Sequence, residues 1–150
     1  MPDIALTWDA ANGVADWTLG ADDIATGDDL LTAVIISLFT DAPATADYVP
    51  RDGDRRGWWA DPYAGITLGS NLWQIGRATK TTATLTLARQ SAARALQWLV
   101  DDGVAATVDV QAEWQGSETP RLAMAITITA PDGTARPFRF SWAWSASSLI

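Results

Sequence analysis

The stretch that decides the fold is Val104-Ala105-Ala106-Thr107-Val108-Asp109-Val110-Gln111-Ala112-Glu113-Trp114. Every second residue from Val104 to Trp114 is apolar, and most of the positions between them are polar. Side chains of a strand point alternately to its two faces, so this spacing predicts a long strand with one buried face. The polar face of the strand would carry Glu113.

The same alternation recurs twice further along the chain. Its positions are Leu122, Met124, Ile126 and Ile128 in one segment, and Phe138, Phe140, Trp142 and Trp144 in the next. The residues between these segments, Pro131-Asp132-Gly133-Thr134, have the composition of a hairpin turn. The last third of the chain therefore predicts a three-stranded antiparallel sheet.

A helix is predicted over residues 82–102, immediately before this sheet. Its apolar residues recur at steps of three and four, at Leu85, Ala88, Ala92, Ala95, Leu96 and Leu99. Gly103 stands where a left-handed residue commonly ends a helix. Because the alanines are small, we expect the sheet to pack closely on this helix.

The first half of the chain predicts a hairpin and two further helices. Apolar residues alternate from Ile4 to Trp8, and a second short run follows the turn at Asn12-Gly13. Thr26 and Asp29 have the spacing of a capping box before a helix near residues 30–40. Asn71 is a candidate N-cap for a helix over 71–79. The predicted fold class is thus α+β, with an N-terminal hairpin, two to three helices and the C-terminal sheet.

Composition narrows the class of protein. The 150 residues are 48% hydrophobic, which suits one domain spanning 1–150 with a core of its own. Cys and His are both absent, which removes thiolate chemistry and the commonest general base. With 18 acidic against 10 basic residues the net charge is -8, so free nucleic acid is not an expected partner. The longest apolar pattern, over 30–39, is too short to cross a bilayer, and no membrane association is expected.

An unusual loop is predicted around Asp54-Arg55-Arg56-Gly57-Trp58-Trp59. We call residues 52–61 the Trp-Trp loop. Guanidinium groups suit carboxylates, so we expect Arg55 or Arg56 to pair with an acidic group and Trp58 or Trp59 to be mostly buried. Three roles remain open at this stage: fixing the loop, forming a protein-binding surface, or catalysis.

No catalytic, cofactor or metal site is predicted. Asp52-Gly53-Asp54 resembles the opening of a calcium loop, but the remaining ligands of that pattern are missing. Glu113 and Glu118 are candidates for an acid and base pair, although such a pair requires a cleft with a defined separation. The serines have no histidine to activate them.

Two segments are candidate edges for the addition of a strand from another protein. Between Phe138 and Ile150 the one charged residue is Arg139, so the last strand has little charge to protect its edge. The other candidate is the first strand. The residues concerned are Ile4, Leu6 and Trp8, and Phe138, Phe140, Trp142 and Trp144. Alternatively, the four aromatic residues of the last strand simply fill the core.

Several blocks of the sequence together resemble the small baseplate protein of Mu-like contractile phages. The blocks are 32–41 (TAVIISLFTD), 54–59 (DRRGWW), 69–73 (GSNLW) and 95–105 (ALQWLVDDGVA). The resemblance extends from about Asp3 to Trp144.

The resemblance implies a structural virion protein of α+β fold that sits between the tube, wedge and sheath of the tail and helps to start sheath assembly. Its implied partners are other baseplate wedge proteins, the tail sheath and the tube or hub, and its implied location is the tail baseplate, assembled in the host bacterial cytoplasm. The family implies no catalytic residues, and residues 54–59 would form its signature loop.

The alternative hypothesis is a carboxylate-dependent peptidoglycan hydrolase of the tail. It requires a cleft with two facing carboxylates, one of them in an apolar setting that raises its pKa.

Overall fold

A computed structural model of the chain describes residues 4–21, 23–24, 26–76, 78–118 and 120–143, and only the backbone at 142 and 143. The predicted residue Trp144 lies outside the described residues. The elements are β1 (Leu6–Asp9), β2 (Val14–Trp17), α1 (Asp29–Phe39), α2 (Asp61–Ala64), α3 (Leu72–Ile75), α4 (Thr82–Ala95), α5 (Gln97–Asp101), β3 (Thr107–Gln115), β4 (Arg121–Thr129) and β5 (Ala135–Ala143). The α+β class is confirmed, with the hairpin first and the three-stranded antiparallel sheet last.

The C-terminal sheet has the order β3-β4-β5, and its inner face forms the largest part of the core. In the register, Trp114 is opposite Leu122, and Ile126 is opposite Phe138. The alternating residues of β4 are at most 2% exposed, and Phe138 and Phe140 are buried beside them. The start of the first predicted strand is wrong: Val104 is exposed, and Ala105 is buried instead, with its N–H donating to the carbonyl of Leu99.

The helix predicted over 82–102 is interrupted at Leu96, between α4 and α5. Ala88 and Ala92 are fully buried, which agrees with the expected close contact between α4 and the sheet. The N–H of Leu99 donates to the carbonyl of Leu96, three residues earlier, with 3.1 Å between N and O, so the backbone turns more tightly here than in an α-helix. The side chains of both residues are buried in the core. Gly103 ends the helical region in the left-handed conformation, with a φ of 74°.

The N-cap of α1 is Asp28, so the prediction that Thr26 begins a capping box is wrong. The Oδ1 of Asp28 accepts hydrogen bonds from the N–H groups of Leu30 (3.1 Å) and Leu31 (3.2 Å). Thr26 lies two residues earlier and pairs with Ile4. A cap must directly precede the helix for its side chain to reach the first free N–H groups, and only Asp28 does so.

The N-terminal hairpin is fastened to both α1 and the sheet by Trp8. The Trp8 ring stacks on Phe39 at 3.8 Å between centroids and meets Phe140 edge-on at 6.2 Å. Its indole N–H donates to the carbonyl of Ser141 at 3.1 Å. Trp8 therefore links the first strand to α1 and to β5 by aromatic packing and a hydrogen bond.

A second link between α1 and β5 is the ion pair of Asp28 with Arg136. The guanidinium contacts both carboxylate oxygens, with the Nη1 to Oδ1 distance at 3.1 Å. This hydrogen bond lowers the pKa of Asp28 below its ordinary value. Asp28 thus both caps a helix and anchors the last strand.

Among the described residues, no helix is long and apolar enough to cross a membrane.

We expect Asp28→Ala to lower the free energy of unfolding by about 1 kcal/mol, because the N-cap of α1 is lost. Because the folded pKa of Asp28 is lowered, the stabilisation by its charge is present above the unfolded pKa of about 3.9 and is lost as the pH falls through the folded value. Asp28→Asn should therefore retain the cap, but its free energy of unfolding should decrease less steeply at low pH, which is the acid limb of the stability curve. Urea unfolding at several pH values measures both effects, with the exposed Asp47→Asn as control. An acid limb in Asp28→Asn as steep as in the parent would contradict the assignment.

Candidate functional site

The Trp-Trp loop is shaped by its own aspartates. The Oδ1 of Asp52 accepts from the N–H of Asp54 at 3.1 Å, and the Oδ1 of Asp54 accepts from the N–H of Arg56 at 2.8 Å. Arg56 itself has a φ of 53°, the one positive φ at a non-glycine residue in the described part of the chain. The aspartates therefore fix a tight turn and are not the partners of the arginines.

Arg55 braces the connector that follows α1. Its Nη2 donates to the carbonyls of Ala44 (2.9 Å) and Thr45 (3.0 Å). The backbone N–H of Ala44 in turn donates to the carbonyl of Arg55 at 2.8 Å. The arginine thus satisfies backbone carbonyls that no regular element pairs.

Arg56 forms the ion pair that was expected of one of the two arginines, but its partner lies outside the loop. The Nη1 of Arg56 is 2.5 Å from Oδ2 of Asp41, at the end of α1. Its guanidinium also lies over the ring of Trp73, 4.4 Å from the centroid. One side chain therefore joins α1, the loop and α3, through charge on one side and stacking on the other.

The segment after α1 is held by a close backbone approach at Gly69. With φ at 100°, Gly69 lies so near Thr40 that a Cβ atom would be 2.2 Å from the Thr40 carbonyl oxygen. Ser70 then donates its N–H to that carbonyl at 2.9 Å, and its hydroxyl to the carbonyl of Leu38 at 2.5 Å. Ser70 thereby satisfies two carbonyls at the end of α1.

The start of α3 completes this clamp. The indole N–H of Trp73 donates to the carbonyl of Ala42 at 2.8 Å, and the side-chain amide of Asn71 donates to that of Pro43 at 2.9 Å. Asn71 is at the N-cap position, as predicted, but its side chain does not cap α3. Instead the Ser70 hydroxyl accepts the N–H of Leu72.

The two tryptophans of the loop differ in burial. Trp58 is partly buried, whereas Trp59 is 78% exposed, and their ring centroids are 5.9 Å apart. Other large apolar side chains of this region are also exposed, namely Val49, Tyr63 and Ile66. We call Val49, Trp59, Tyr63 and Ile66 the exposed apolar set. Exposed apolar side chains concentrated on a braced segment are typical of a protein-binding surface.

The candidate strand edges are only partly free. Phe138 and Phe140 are buried, which is the core-filling role that the sequence left open, while the side chain of Trp142 is not described. Leu6 is partly buried against the core, and Ile4 is 43% exposed, with its carbonyl accepting from the hydroxyl of Thr32. At Ser141, the outer side of β5 is covered by the indole of Trp8.

The edge that the sequence did not single out is β3. In the described part of the chain, the indole N–H of Trp114 donates to the carbonyl of Thr81 at 3.2 Å, and β4 is the one strand that pairs with β3. Its inward residues Val108, Val110 and Ala112 are only partly buried, in contrast to those of β4. The alternation of apolar residues does not predict this, because the pattern within one strand does not show where that strand lies in the sheet.

The residues considered for chemistry are not brought together. Glu113 lies on the open face of the sheet and accepts from Gln115 at 2.7 Å, and Glu118 is exposed in the following turn. Within the described ranges, no group of three or more acidic residues could hold a metal ion. Glu113 and Glu118 therefore do not form two facing carboxylates in the described part of the chain.

Comparison with known proteins gives consistent matches over most of the chain. A family model described as phage protein GP46 matches residues 30–135, which include the Trp-Trp loop. The Mu-like prophage FluMu protein gp46 of Haemophilus influenzae is 41% identical over 145 residues, covering 95% of this chain and 98% of that protein. The baseplate protein gp46 of Escherichia phage Mu is 40% identical over 149 residues, covering 97% and 99%.

We expect Gly69→Ala to lower the free energy of unfolding by more than about 3 kcal/mol, or to prevent folding, because Cβ would collide with the Thr40 carbonyl. The matched control is Gly53→Ala, where φ is also positive but a Cβ meets nothing within 4 Å. This control should cost only about 1 kcal/mol for the left-handed conformation. Thermal and urea unfolding would measure both variants, and equal losses would argue against the close approach.

Proposed function

Since this chain belongs to the family described as phage protein GP46, we propose that it is a structural component of the baseplate of a Mu-like contractile tail. The observation that carries the proposal is near full-length identity of 40% with a protein named as a baseplate protein of phage Mu. The exposed apolar set, which includes Trp59 on the braced loop, supports it, since exposed apolar side chains suit a subunit that is covered in an assembly.

The finer role that we propose is to join baseplate wedge proteins to the tail tube and sheath and to support sheath assembly. The partners would be other wedge proteins, the tail sheath and the tube or hub, and the protein would be assembled into the virion in the host bacterial cytoplasm. A subunit at such a junction needs more than one binding surface. The exposed apolar set and the sheet edges are two candidate binding surfaces, and they lie on different elements of the fold.

The first proposed surface is the signature loop, Asp54 to Trp59, together with the exposed apolar set that lies before and after it in the sequence. Arg55 and Arg56 hold its backbone through carbonyls and an ion pair, so Trp59 projects from a fixed support. A preorganised loop loses little conformational entropy when it binds. Large aromatic residues presented in this way are the usual anchors of interfaces.

The second proposed surface is a strand edge of the C-terminal sheet or the strand at Ile4 to Trp8. Addition of a strand to a sheet edge uses unpaired backbone groups for affinity. The last strand remains a candidate beyond Ser141, where Trp8 covers its outer side. No described strand pairs with the side of β3 away from β4, and this supports addition at the other side of the same sheet.

We expect Trp59→Ala to fold with unchanged stability, because this side chain is largely in water, and to lose incorporation into a reconstituted baseplate. The matched control is Leu87→Ala on α4, where the side chain is also exposed. Circular dichroism and thermal unfolding test the fold, and co-sedimentation with the tail proteins of the same phage tests incorporation. Normal incorporation of Trp59→Ala would exclude the loop as an anchor.

We also expect no peptidoglycan cleavage above a blank between about pH 4 and 8, since among the described residues no carboxylate faces Glu113 or Glu118 to share the acid and base roles. Release of soluble muropeptides from purified cell walls is the measurement. Turnover that disappears in Glu113→Gln or Glu118→Gln would support the hydrolase hypothesis instead, whereas turnover retained in both variants would indicate a contaminant.

A further inference from the structure

The excess negative charge of the chain lies in its first third. The first 50 residues include nine aspartates and no lysine or arginine, whereas the other nine acidic residues and all ten basic residues follow Pro50. Asp28 is paired with Arg136 and Asp41 with Arg56, so those two charges are balanced by basic residues from later segments. The aspartates of the N-terminal hairpin are the ones that remain to be explained.

Three of these aspartates surround β2. Asp9 is opposite Val14 at the start of the strand, Asp16 lies within it, and Asp23 lies in the turn that follows. Their carboxylates accept from the backbone N–H groups of Ala11, Trp17 and Ile24, at 2.8, 2.8 and 2.7 Å. All three residues are exposed, and none forms an ion pair with another described residue. The surroundings of β2 are therefore negatively charged, without a cation from the described chain to neutralise them.

The hairpin also carries a large aromatic side chain that the core leaves uncovered. In the register of the two strands, Trp17 is opposite Leu6, and Ala15 is opposite Trp8. Opposite residues of antiparallel strands share a face, so Trp17 lies on the face that packs against the core through Leu6, Trp8 and Ala15. Trp17 is nevertheless 56% exposed, and Leu19, two residues further on, is 79% exposed. This face of the hairpin thus ends in an apolar surface that is open to solvent.

The edge of β2 is not suited to the addition of a strand. Among the described strands β2 pairs with β1 alone, but the N–H of Trp17 is already bound to the Oδ1 of Asp16. Charged side chains on an edge strand are a common means of preventing the addition of another strand. A partner is therefore expected to contact the side chains of the hairpin rather than to extend its sheet.

The charge of this surface selects the class of partner. A second copy of the chain would bring the same aspartates, and an anionic lipid surface would bring phosphates, so both would be repelled. Lys and Arg side chains instead offer methylene groups that pack on an aromatic ring and a cation that both the ring face and the carboxylates attract. Charge complementarity thus favours a basic protein segment.

We propose that Trp17 and Leu19, with the aspartates around β2, bind a basic segment of a neighbouring baseplate protein. A Lys or Arg side chain of that segment packs its methylene groups on Trp17, and its cation lies beside the carboxylates. An apolar side chain of the same segment covers Leu19. That the partner is a baseplate protein rests on the proposed function, whereas its basic chemistry rests on the hairpin alone.

The surface is tested on the purified chain with three blocked pentapeptides, in which leucine alternates with lysine, glutamine or glutamate. In nitrogen-edited NMR titrations at low salt, the lysine peptide should shift the indole signal of Trp17 with millimolar affinity. The glutamine peptide should bind at least about tenfold more weakly, and the glutamate peptide should cause no shift. The indole signals of Trp59 and Trp98, which are also exposed, are internal references. Equal shifts at all three tryptophans, equal binding of the lysine and glutamine peptides, or no shift with any peptide would overturn the proposal.

The decisive variant removes the three charges around β2 but keeps an acceptor oxygen for each N–H group. It combines Asp9→Asn, Asp16→Asn and Asp23→Asn. The control combines Asp101→Asn, Asp102→Asn and Asp109→Asn, which make the same change in net charge at exposed positions elsewhere. We expect at least about tenfold weaker binding of the lysine peptide in the hairpin variant and a much smaller loss in the control. Equal losses in the two variants would show attraction to the net charge alone and would overturn the site.

The aromatic contact is tested by Trp17→Ser, with Leu87→Ser on α4 as the matched control because Leu87 is similarly exposed. Circular dichroism confirms that both variants fold. Trp17→Ser should weaken binding of the lysine peptide at least about tenfold, and Leu87→Ser should leave it unchanged. Unchanged binding in Trp17→Ser would overturn the site. Self-association of the parent, or its binding to phosphatidylcholine vesicles, would also overturn the proposal if Trp17→Ser abolished it, since another occupant would then cover this surface.

A last measurement separates the site from its partner. Wedge, sheath and tube proteins of the same phage are each tested for binding to the parent chain and to Trp17→Ser at low and at high salt. We expect one of them to lose affinity both in the variant and at high salt, which identifies the protein that supplies the basic segment. If the lysine peptide binds at Trp17 but all three proteins bind the variant as they bind the parent, the baseplate partner is wrong while the basic chemistry stands. If none binds the parent, the proposed function fails independently of the hairpin.

Discussion

The close backbone approach of Gly69 to Thr40 is the constraint on which the candidate surface depends. Only a residue without Cβ fits there, and it brings Ser70 against the end of α1 and Trp73 against Ala42. Trp73 then provides the ring on which the Arg56 guanidinium stacks. One permissive residue in the connector thus determines where the loop and the exposed tryptophan lie.

The individual braces of the loop are weak, but they act on the same short segment. The Arg56–Asp41 pair is more than a third exposed at both side chains, so solvent screens most of its Coulomb energy. The pair matters mainly because it fixes the position of the loop. Together with the stacking on Trp73 and the hydrogen bonds from Arg55 to backbone carbonyls, it reduces the conformational freedom of a connector that has no regular secondary structure. The conformational entropy of the loop is therefore already lost in the free protein, before any partner binds.

Most of the fold could be predicted from neighbouring residues, and the candidate site could be predicted only in part. The pairing of an arginine in the loop followed from its charge, but Asp41, 15 residues away, could not be identified. Trp58 or Trp59 was expected to be mostly buried, and in the structure Trp58 is partly buried and Trp59 is 78% exposed.

By itself the sequence determined the alternation that gives β3, β4 and β5 their faces, the three- and four-residue steps of α4, and the glycine at 103 that ends the helical region. These features depend on residues a few positions apart, whose geometry the backbone fixes locally. Tertiary structure alone decided that Trp8 binds β5, that Leu96 interrupts the long helix, and that Arg56 reaches both Asp41 and Trp73. Those outcomes depend on which distant surfaces pack together, and local periodicity carries no information about that choice.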